Sequence, residues 1–204
     1  TVTAVNDAPV LDNGGTMSVT GINEDDTNPS GITIADLILS AGGDRITDVD
    51  AGAVEGIAVI TVDNTNGAWQ FSTNSGGSWT AFGTPTTSTA RLLSAIGSAT
   101  MVRFVPTGDF NGSVDPGLTF HAWDQTTGSN GNTADISAGG ATGGTTAYST
   151  ATETAAITVT AVNDAPVLDN GGTMSLTGVA EGSTNPSGDT IADLILSAGG
   201  DRIT

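Results

Sequence analysis

The sequence begins with TVTAVNDAP (residues 1–9), and the same nine residues return at 158–166. The alternating Thr and Val side chains of this stretch are β-branched and favour a strand. Asn6 and Asp7 then offer side-chain oxygens, and Pro9 ends the strand and keeps the backbone before it extended. Each copy therefore predicts the last strand of one module, followed by a stiff junction with the next.

The repeat extends well beyond the junction. Residues 1–47 and 158–204 are identical at 41 of 47 positions. The six differences are Val19/Leu176, Ile22/Val179, Asn23/Ala180, Asp25/Gly182, Asp26/Ser183 and Ile32/Asp189. A period of 157 residues indicates a tandem array of whole domains, not a solenoid of small units. Because the chain begins within a repeat, we expect it to be part of a longer array.

Composition narrows the classes of partner. The chain has 204 residues and a formal charge of -18, from 22 acidic side chains against four arginines and no lysine. Such a field repels nucleic acid and anionic lipid and attracts divalent cations. There is no cysteine, which excludes disulfides and thiolate metal sites. No apolar run has the length needed to span a bilayer, so we expect no membrane insertion.

Short strand-like runs separated by turn residues predict the fold class. We expect strands over 16–22, 56–63, 68–73, 78–82, 100–105, 118–123 and 153–162. Asn64–Gly67 predicts a hairpin turn, and Gln125–Ala147 an exposed loop. Single short helices are expected over Ile34–Ser40 and Ser88–Ile96. The pattern is typical of an all-β, antiparallel sandwich of the immunoglobulin type, with Trp69, Phe71, Trp79, Phe104, Phe120 and Trp123 in its core.

The repeat leaves two divisions of the chain open. In one, residues 1–9 are a junction linker, 10–157 a sandwich, 158–166 a second linker and 167–204 the start of the next repeat. In the other, residues 48–204 form one period and 1–47 belongs to the preceding repeat. A split domain, completed by strands from the adjacent repeat, is a further possibility, because both copies present the same apolar side chains.

Oxygen-bearing side chains recur at the module ends. Asp48 and Asp50 stand two residues apart in a turn before a strand, and Asp124 ends another strand. Further oxygen donors are Asn6 with Asp7, the cluster Glu24, Asp25 and Asp26, and Asp109. Calcium binds about six to eight oxygens from carboxylates, amides and main-chain carbonyls, which is the ligand type that these residues supply. For any single aspartate, a turn or solvated role is the simpler interpretation.

At these residues the chain resembles the cadherin-like repeats of giant bacterial adhesins of the RTX type, which are exported by type I secretion. The matching pieces are Val5–Pro9, Asn23–Asp25, Asp48–Gly52, Val105–Gly112 and Phe120–Asp124. The resemblance covers essentially the whole period. It implies an immunoglobulin-like or cadherin-like sandwich with calcium at the junctions between modules.

The resemblance also implies two sets of calcium ligands. An entrance site would use Asn6, Asp7, Asp48, Asp50 and Asp124. An exit site would use Glu24, Asp109, Asn163 and Asp164. The next Asp-x-Asp turn would follow Thr204, so we expect the exit site to be the weaker of the two. Gly182 and Ser183 replace Asp25 and Asp26 in the second copy, and Glu24 therefore ranks above those two acids as a ligand.

The function expected from these features is mechanical. The chain would be a calcium-stiffened extender repeat that holds a distal binding domain away from a bacterial cell surface, in adhesion and biofilm formation. Its partners would be neighbouring identical repeats. A sandwich that recognises a glycan or a protein through the loop Gln125–Ala147 is the alternative, and glycan binding that depends on Trp69 or Trp79 would favour it. We expect no enzyme activity, because His121 is the only histidine and no nucleophile motif accompanies it.

Overall fold

A computed structural model describes residues 3–204 and confirms the all-β class. The chain forms two compact units, Thr1–Val162 and Asn163–Thr204. Thr1 and Val2 of the predicted first linker lie outside the described residues. The strands are β1 (Val10–Leu11), β2 (Met17–Ser18), β3 (Ile22–Asn23), β4 (Ile32–Thr33), β5 (Ile46–Thr47), β6 (Gly56–Val62), β7 (Gly67–Ser72), β8 (Thr80–Ala81), β9 (Ala90–Ser94), β10 (Met101–Pro106), β11 (Gly112–Trp123), β12 (Thr133–Ala134) and β13 (Tyr148–Thr160). The helices are α1 (Ile34–Leu39) and α2 (Ile191–Leu196).

The first unit has two large sheets and a two-stranded sheet in which β1 pairs with β5. One large sheet has the strand order β12-β9-β6-β11-β13-β2, with β3 also paired to β13, and the other has the order β4-β10-β7-β8. Alternate side chains of both sheets meet in one core, where the rings of Trp69 and Phe104 lie 5.2 Å apart. Phe120 from the larger sheet belongs to the same cluster and is fully buried. Of the six aromatic residues expected in the core, Trp79 alone is only half-buried.

Residues 1–47 close an edge of each sheet. β2 and β3 pair in parallel with β13, and β4 pairs antiparallel with β10. Helix α1 begins after Thr33, whose hydroxyl accepts a hydrogen bond from the backbone N–H of Asp36. Its apolar side chains Ile34, Leu37 and Ile38 are buried against the core. This first segment, residues 1–47, is therefore part of the sandwich, because its strands cover the edge of β13 in one sheet and the edge of β10 in the other.

Two local predictions are wrong. Residues 90–94, expected to be helical, form strand β9, because Leu92 and Leu93 are buried in two different apolar clusters and so on opposite faces. The turn Asn64–Gly67 joins no hairpin, since β6 pairs with β9 and β11 whereas β7 pairs with β8 and β10. Gly67 has no positive φ; a Cβ there would overlap the ring of Phe104, so close packing explains the glycine.

The predicted loop 125–147 is partly structured. It contains β12, which pairs with β9, and it buries Ile136 in the smaller apolar cluster. The helix predicted over Ile34–Ser40 is confirmed as α1, and the strands β6, β7, β10, β11 and β13 overlap the predicted runs.

The second unit keeps a bridge and the helix of the first segment, but its apolar side chains are exposed. Leu168 and Ile203 form an antiparallel bridge like that of Leu11 and Ile46 in the first unit. Helix α2 repeats α1 residue for residue, yet none of its residues is buried. Ile34 is 0 % exposed, whereas its counterpart Ile191 is 72 % exposed.

This pair of positions gives a matched test of the fold. Ile34→Ala should lower the free energy of unfolding by about 2–5 kcal/mol, because it leaves a cavity in the core. Ile191→Ala removes the same atoms from an exposed helix and should change it by less than about 0.5 kcal/mol. Urea denaturation followed by tryptophan fluorescence measures both. Equal effects at the two positions would contradict the assignment of residues 1–47 to the first sandwich.

Candidate metal centres

One end of the first unit gathers four of the five residues predicted for the entrance site. Asn6, Asp48, Asp50 and Asp124 line a cavity of about 230 Å³. Asp124 directly follows the last residue of β11, and its N–H donates to the carbonyl of Ala147 at 3.1 Å, which fixes the strand end. Asp124 is only 3 % exposed. The fifth residue, Asp7, is exposed and does not line this cavity.

Backbone N–H groups hold the Asp48-x-Asp50 turn in shape. The N–H of Asp50 donates to Asp48 Oδ1 at 2.8 Å, an Asx turn that only a short oxygen-bearing side chain can make. The N–H of Asp7 donates to Asp50 Oδ2 at 2.8 Å. The linker is thus tied to the turn through its backbone, and this is the structural role that Asp7 has here.

Asn6 connects the linker to the strand end. Its Nδ2 donates to Asp124 Oδ2 at 2.9 Å and to the carbonyl of Thr146 at 3.2 Å. Asp124 Oδ1 accepts from both the N–H and the hydroxyl of Thr126, at 2.8 and 2.6 Å. Thr126 also lines the cavity, and sequence analysis did not single it out. No local pattern marks it, because its role depends on the strand end being buried.

One carboxylate oxygen of the cavity has no donor. Asp48 Oδ2 is buried and accepts no hydrogen bond from the described part of the chain. A buried carboxylate oxygen without a partner costs free energy, which a cation would recover. The other polar groups that line the cavity include carboxylates, a hydroxyl and the side-chain amide of Asn6. Rotation of that amide by 180° would present its Oδ1 to a cation. The carboxylates of Asp48, Asp50 and Asp124 do not all lie within 4.8 Å of one another, so a shared ion would have to draw them together.

The other end of the first unit carries the predicted exit residues Glu24 and Asp109. Glu24 Oε1 accepts from the N–H of Val162 at 2.6 Å, and Oε2 accepts from Asn111 Nδ2 at 2.7 Å. The hydrogen bonds from Val162 and Asn111 hold the pKa of Glu24 below its ordinary value. Glu24 is buried and anchors the end of β13, a role that sequence analysis did not predict.

A pair of exposed acids lies at this end. Asp25 and Asp109 have carboxylate oxygens within 4.8 Å of each other. Asp109 lies in the loop before β11 and has a left-handed backbone with φ of 62°. Asp25, ranked below Glu24 from sequence, is thus the residue that approaches Asp109. Asn163 and Asp164 belong to the second unit, where Asn163 Nδ2 donates to the carbonyl of Asp164 at 3.0 Å.

A further carboxyl pair adjoins the entrance. A cavity of about 300 Å³ is lined by Asp44 and Glu55 as well as by Asp48 and Asp50. Burial, the charge of Asp44 and a hydrogen bond with Asp44 raise the pKa of Glu55 to about 7. Asp44 and Glu55 are eleven positions apart in the sequence, and no sequence motif joins them. Asp44 also makes the turn contact expected of it, since its Oδ1 accepts from the N–H of Ile46 at 3.0 Å.

His121 shows no catalytic arrangement in the part of the chain that the structure describes. The side chain is buried in β11, and its Nδ1 lies 2.8 Å from the carbonyl of Ser149. A backbone carbonyl is a structural partner, not the nucleophile that a triad would require.

The fold and these clusters define an acidic, all-β chain with cavities lined by carboxylates at one end of its first unit. No protein-family model, curated protein or solved structure matches it. Among residues 3–204, no helix has the length and apolar character needed to cross a membrane.

The Asp44–Glu55 pair predicts a pH dependence of stability in calcium-free buffer. The folded pKa of Glu55, about 7, lies above the reference value of 4.5, so protonation favours the folded state. This contribution is complete below pH 4.5 and is lost as the pH rises through 7. Glu55→Gln should therefore flatten the fall in melting temperature between these two values.

Glu181→Gln, at an exposed glutamate of the second unit, is the matched control and should leave the pH profile unchanged. A wild-type melting temperature that does not fall over this window would show that Glu55 titrates normally.

Proposed function

We propose that this chain is a calcium-stiffened extender repeat of a bacterial surface adhesin. The observation that carries the proposal is the entrance cavity, where Asn6, Asp48, Asp50 and Asp124 converge and Asp48 Oδ2 lacks a donor. These residues come from the linker, from a turn and from a strand end. A cation held by all of them would fasten the linker to the body of the sandwich.

The charge balance supports a cation from solution. Each of the four arginines is engaged elsewhere: Arg45 with Asp12, Arg91 with the carbonyl of Gly131, Arg103 with Gln70 and Arg202 with Asp169. None lines the entrance cavity. Clustered carboxylates without a protein cation repel each other, and a divalent ion removes that repulsion.

Calcium fits the donor set better than other common ions. Carboxylate, amide and hydroxyl oxygens suit a hard cation, and thiol and imidazole ligands are missing from the cavity lining. The residues of this chain would contribute as follows: Asp48, Asp50 and Asp124 would supply charge, Asn6 an amide oxygen and Thr126 a hydroxyl already placed beside Asp124. The ion would supply the positive charge that the cavity lacks.

Stiffening would follow from where these residues sit in the chain. Asn6 and Asp7 belong to the linker, and hydrogen bonds with Asp124, Thr146, Thr145 and Asp50 hold them without an ion. Ion binding would convert these contacts into a joint of fixed angle. Extracellular calcium modules bind with dissociation constants of about 0.1–1 mM, which suits a joint that sets after export. Asn163 and Asp164 repeat Asn6 and Asp7, and their part in an exit site remains a prediction.

The glycan-binding alternative loses one of its two tryptophans. Trp69 is 1 % exposed and packs on Phe104 inside the sandwich, so it offers no ring face to a sugar. Trp79 is half-buried, and the guanidinium of Arg103 lies 4.3 Å from its ring centre. That contact covers one face of Trp79, so the alternative draws no specific support from either tryptophan.

Calcium should raise the melting temperature of the chain. With a dissociation constant of about 0.1 mM, 10 mM calcium adds about 2.7 kcal/mol, which for a unit of this size corresponds to roughly 5–10 °C. Asp48→Asn and Asp124→Asn should each remove most of this shift, since each takes a charge from the cavity. Differential scanning calorimetry with calcium and then with a chelator measures it.

Asp135→Asn is the control, because Asp135 is exposed outside the cavity and its Oδ1 accepts only from the N–H and hydroxyl of Ser137, a turn that Asn can also make. It should keep the full calcium shift. A wild-type melting temperature that calcium leaves unchanged would refute the proposed function.

A further inference from the structure

The second unit keeps the internal bonds of the first segment. Arg202 pairs with Asp169 at 2.5 Å and donates to the carbonyl of Ala198 at 2.7 Å, as Arg45 does with Asp12 and Ala41 at 2.7 and 2.8 Å. Ser197 Oγ accepts from the N–H of Ser175 at 2.9 Å, the same distance as between Ser40 and Ser18. The segment is therefore already shaped for docking before anything covers it.

The second unit lacks the strand pairing and the burial of apolar side chains that the first segment gains from the rest of its sandwich. In the described structure, residues 173–190 form no strand, although their counterparts 16–33 contain β2, β3 and β4. Seven large apolar side chains stand exposed, and all but Val167 and Leu196 correspond to buried or half-buried residues of the first segment. They are Val167, Leu168, Leu176, Val179, Ile191, Leu196 and Ile203.

The first unit shows what covers such a segment. There, backbone edges of β13 and β10 pair with β2, β3 and β4, and the core between the sheets receives Met17, Ile34 and Leu37. The surface that fits the second segment is thus residues 48–162 of a chain whose own first segment has left.

We infer that the second segment, residues 163–204, docks onto residues 48–162 of a second copy of this chain, in place of that copy's residues 1–47. Strands would add to the free edges of β13 and β10, and Ile191 would fill the place of Ile34. The Ile32/Asp189 difference falls in the edge strand β4, where Ile32 is half-buried against the core, so Asp189 should make the second segment dock more weakly than the first. Each docked segment would leave its donor's sandwich intact, so copies would join head to tail.

The linker favours a second copy over the same chain. To replace its counterpart, Ala165 would take the position of Ala8, whose N–H donates to Gly144 at 2.8 Å, near the start of β13. Thr160, at the other end of β13, is about 40 Å away, since a strand rises about 3.3 Å per residue. Five residues lead from Thr160 to Ala165, and they span at most about 18 Å. Exchange within one chain would therefore lose the contacts of Ala8.

In the wild-type chain, residues 1–47 of the same chain should occupy this surface in preference to residues 163–204 of another copy. The first segment is covalently joined to residues 48–162, and a short tether gives an effective concentration of the order of 1 mM or more. Micromolar wild-type protein should therefore be monomeric. A charge in the first segment that prevents its docking would free the surface and give the advantage to the second segment of another copy.

The test uses the full chain with chelator present, so that it does not depend on calcium. Ile34→Asp should change the mass measured by light scattering from monomer to dimer and larger species as concentration rises. Ile34→Asp with Ile191→Asp should be monomeric. Mixed with this double variant, the wild-type chain should form a 1:1 complex, and Ile191→Asp as donor should bind at least about tenfold more weakly.

A disulfide trap covers the case in which Ile34→Asp weakens folding. Ala155 pairs with Met17, whose counterpart is Met174. Met174→Cys in one chain and Ala155→Cys in an Ile34→Asp chain should give a crosslinked heterodimer on a non-reducing gel. Asp135→Cys in place of Ala155→Cys should not, because Asp135 lies away from the β13 edge. A monomeric Ile34→Asp chain together with no crosslink above the Asp135→Cys control would overturn the inference.

Discussion

Backbone pairing at the edges of β10 and β13 is the interaction on which the first sandwich depends. Residues 1–47 supply it through β2, β3 and β4; the same segment contains Asn6 and leads directly into Asp48 and Asp50, at the end of the sandwich where Asp124 lies. Fold and candidate site therefore depend on one segment. The second copy of the segment shows what happens without this pairing. Its sequence is nearly identical and its helix and ion pair are formed, but its large apolar side chains are exposed.

Much of this could be predicted from the residues. Alternation of apolar side chains predicts β13, and the spacing of Ile34, Leu37 and Ile38 predicts α1, because each pattern reflects one buried face. The pattern fails where both faces are buried. Leu92 and Leu93 are buried in different clusters on opposite faces of a strand. Neighbouring apolar residues of this kind also fit one face of a helix, which is why the sequence predicts a helix there. Asn64–Gly67 gives a real turn, but which sheet each flanking strand joins depends on distant partners.

The candidate site, too, could be predicted from the sequence only in part. Asp48 and Asp50 stand two residues apart in the sequence and are recognisable as an oxygen pair, and Asp124 marks a strand end. The pairing of Asp44 with Glu55 and the placing of Thr126 in the cavity are long-range results of folding. Glu24 carries both kinds of information: its place in an acidic cluster is visible in the sequence, whereas its hydrogen bond to Val162 depends on the pairing of β3 with β13.

Electrostatics connects the site to the proposed mechanical role. The entrance carboxylates have no protein cation beside them, and one buried oxygen has no donor. The most direct measurement is diffraction from crystals grown with calcium, with data collected where calcium scatters anomalously. We expect an anomalous peak in the cavity between Asp48 and Asp124, with Asn6 among the ligands of the ion. A well-ordered cavity without a peak at millimolar calcium would contradict it.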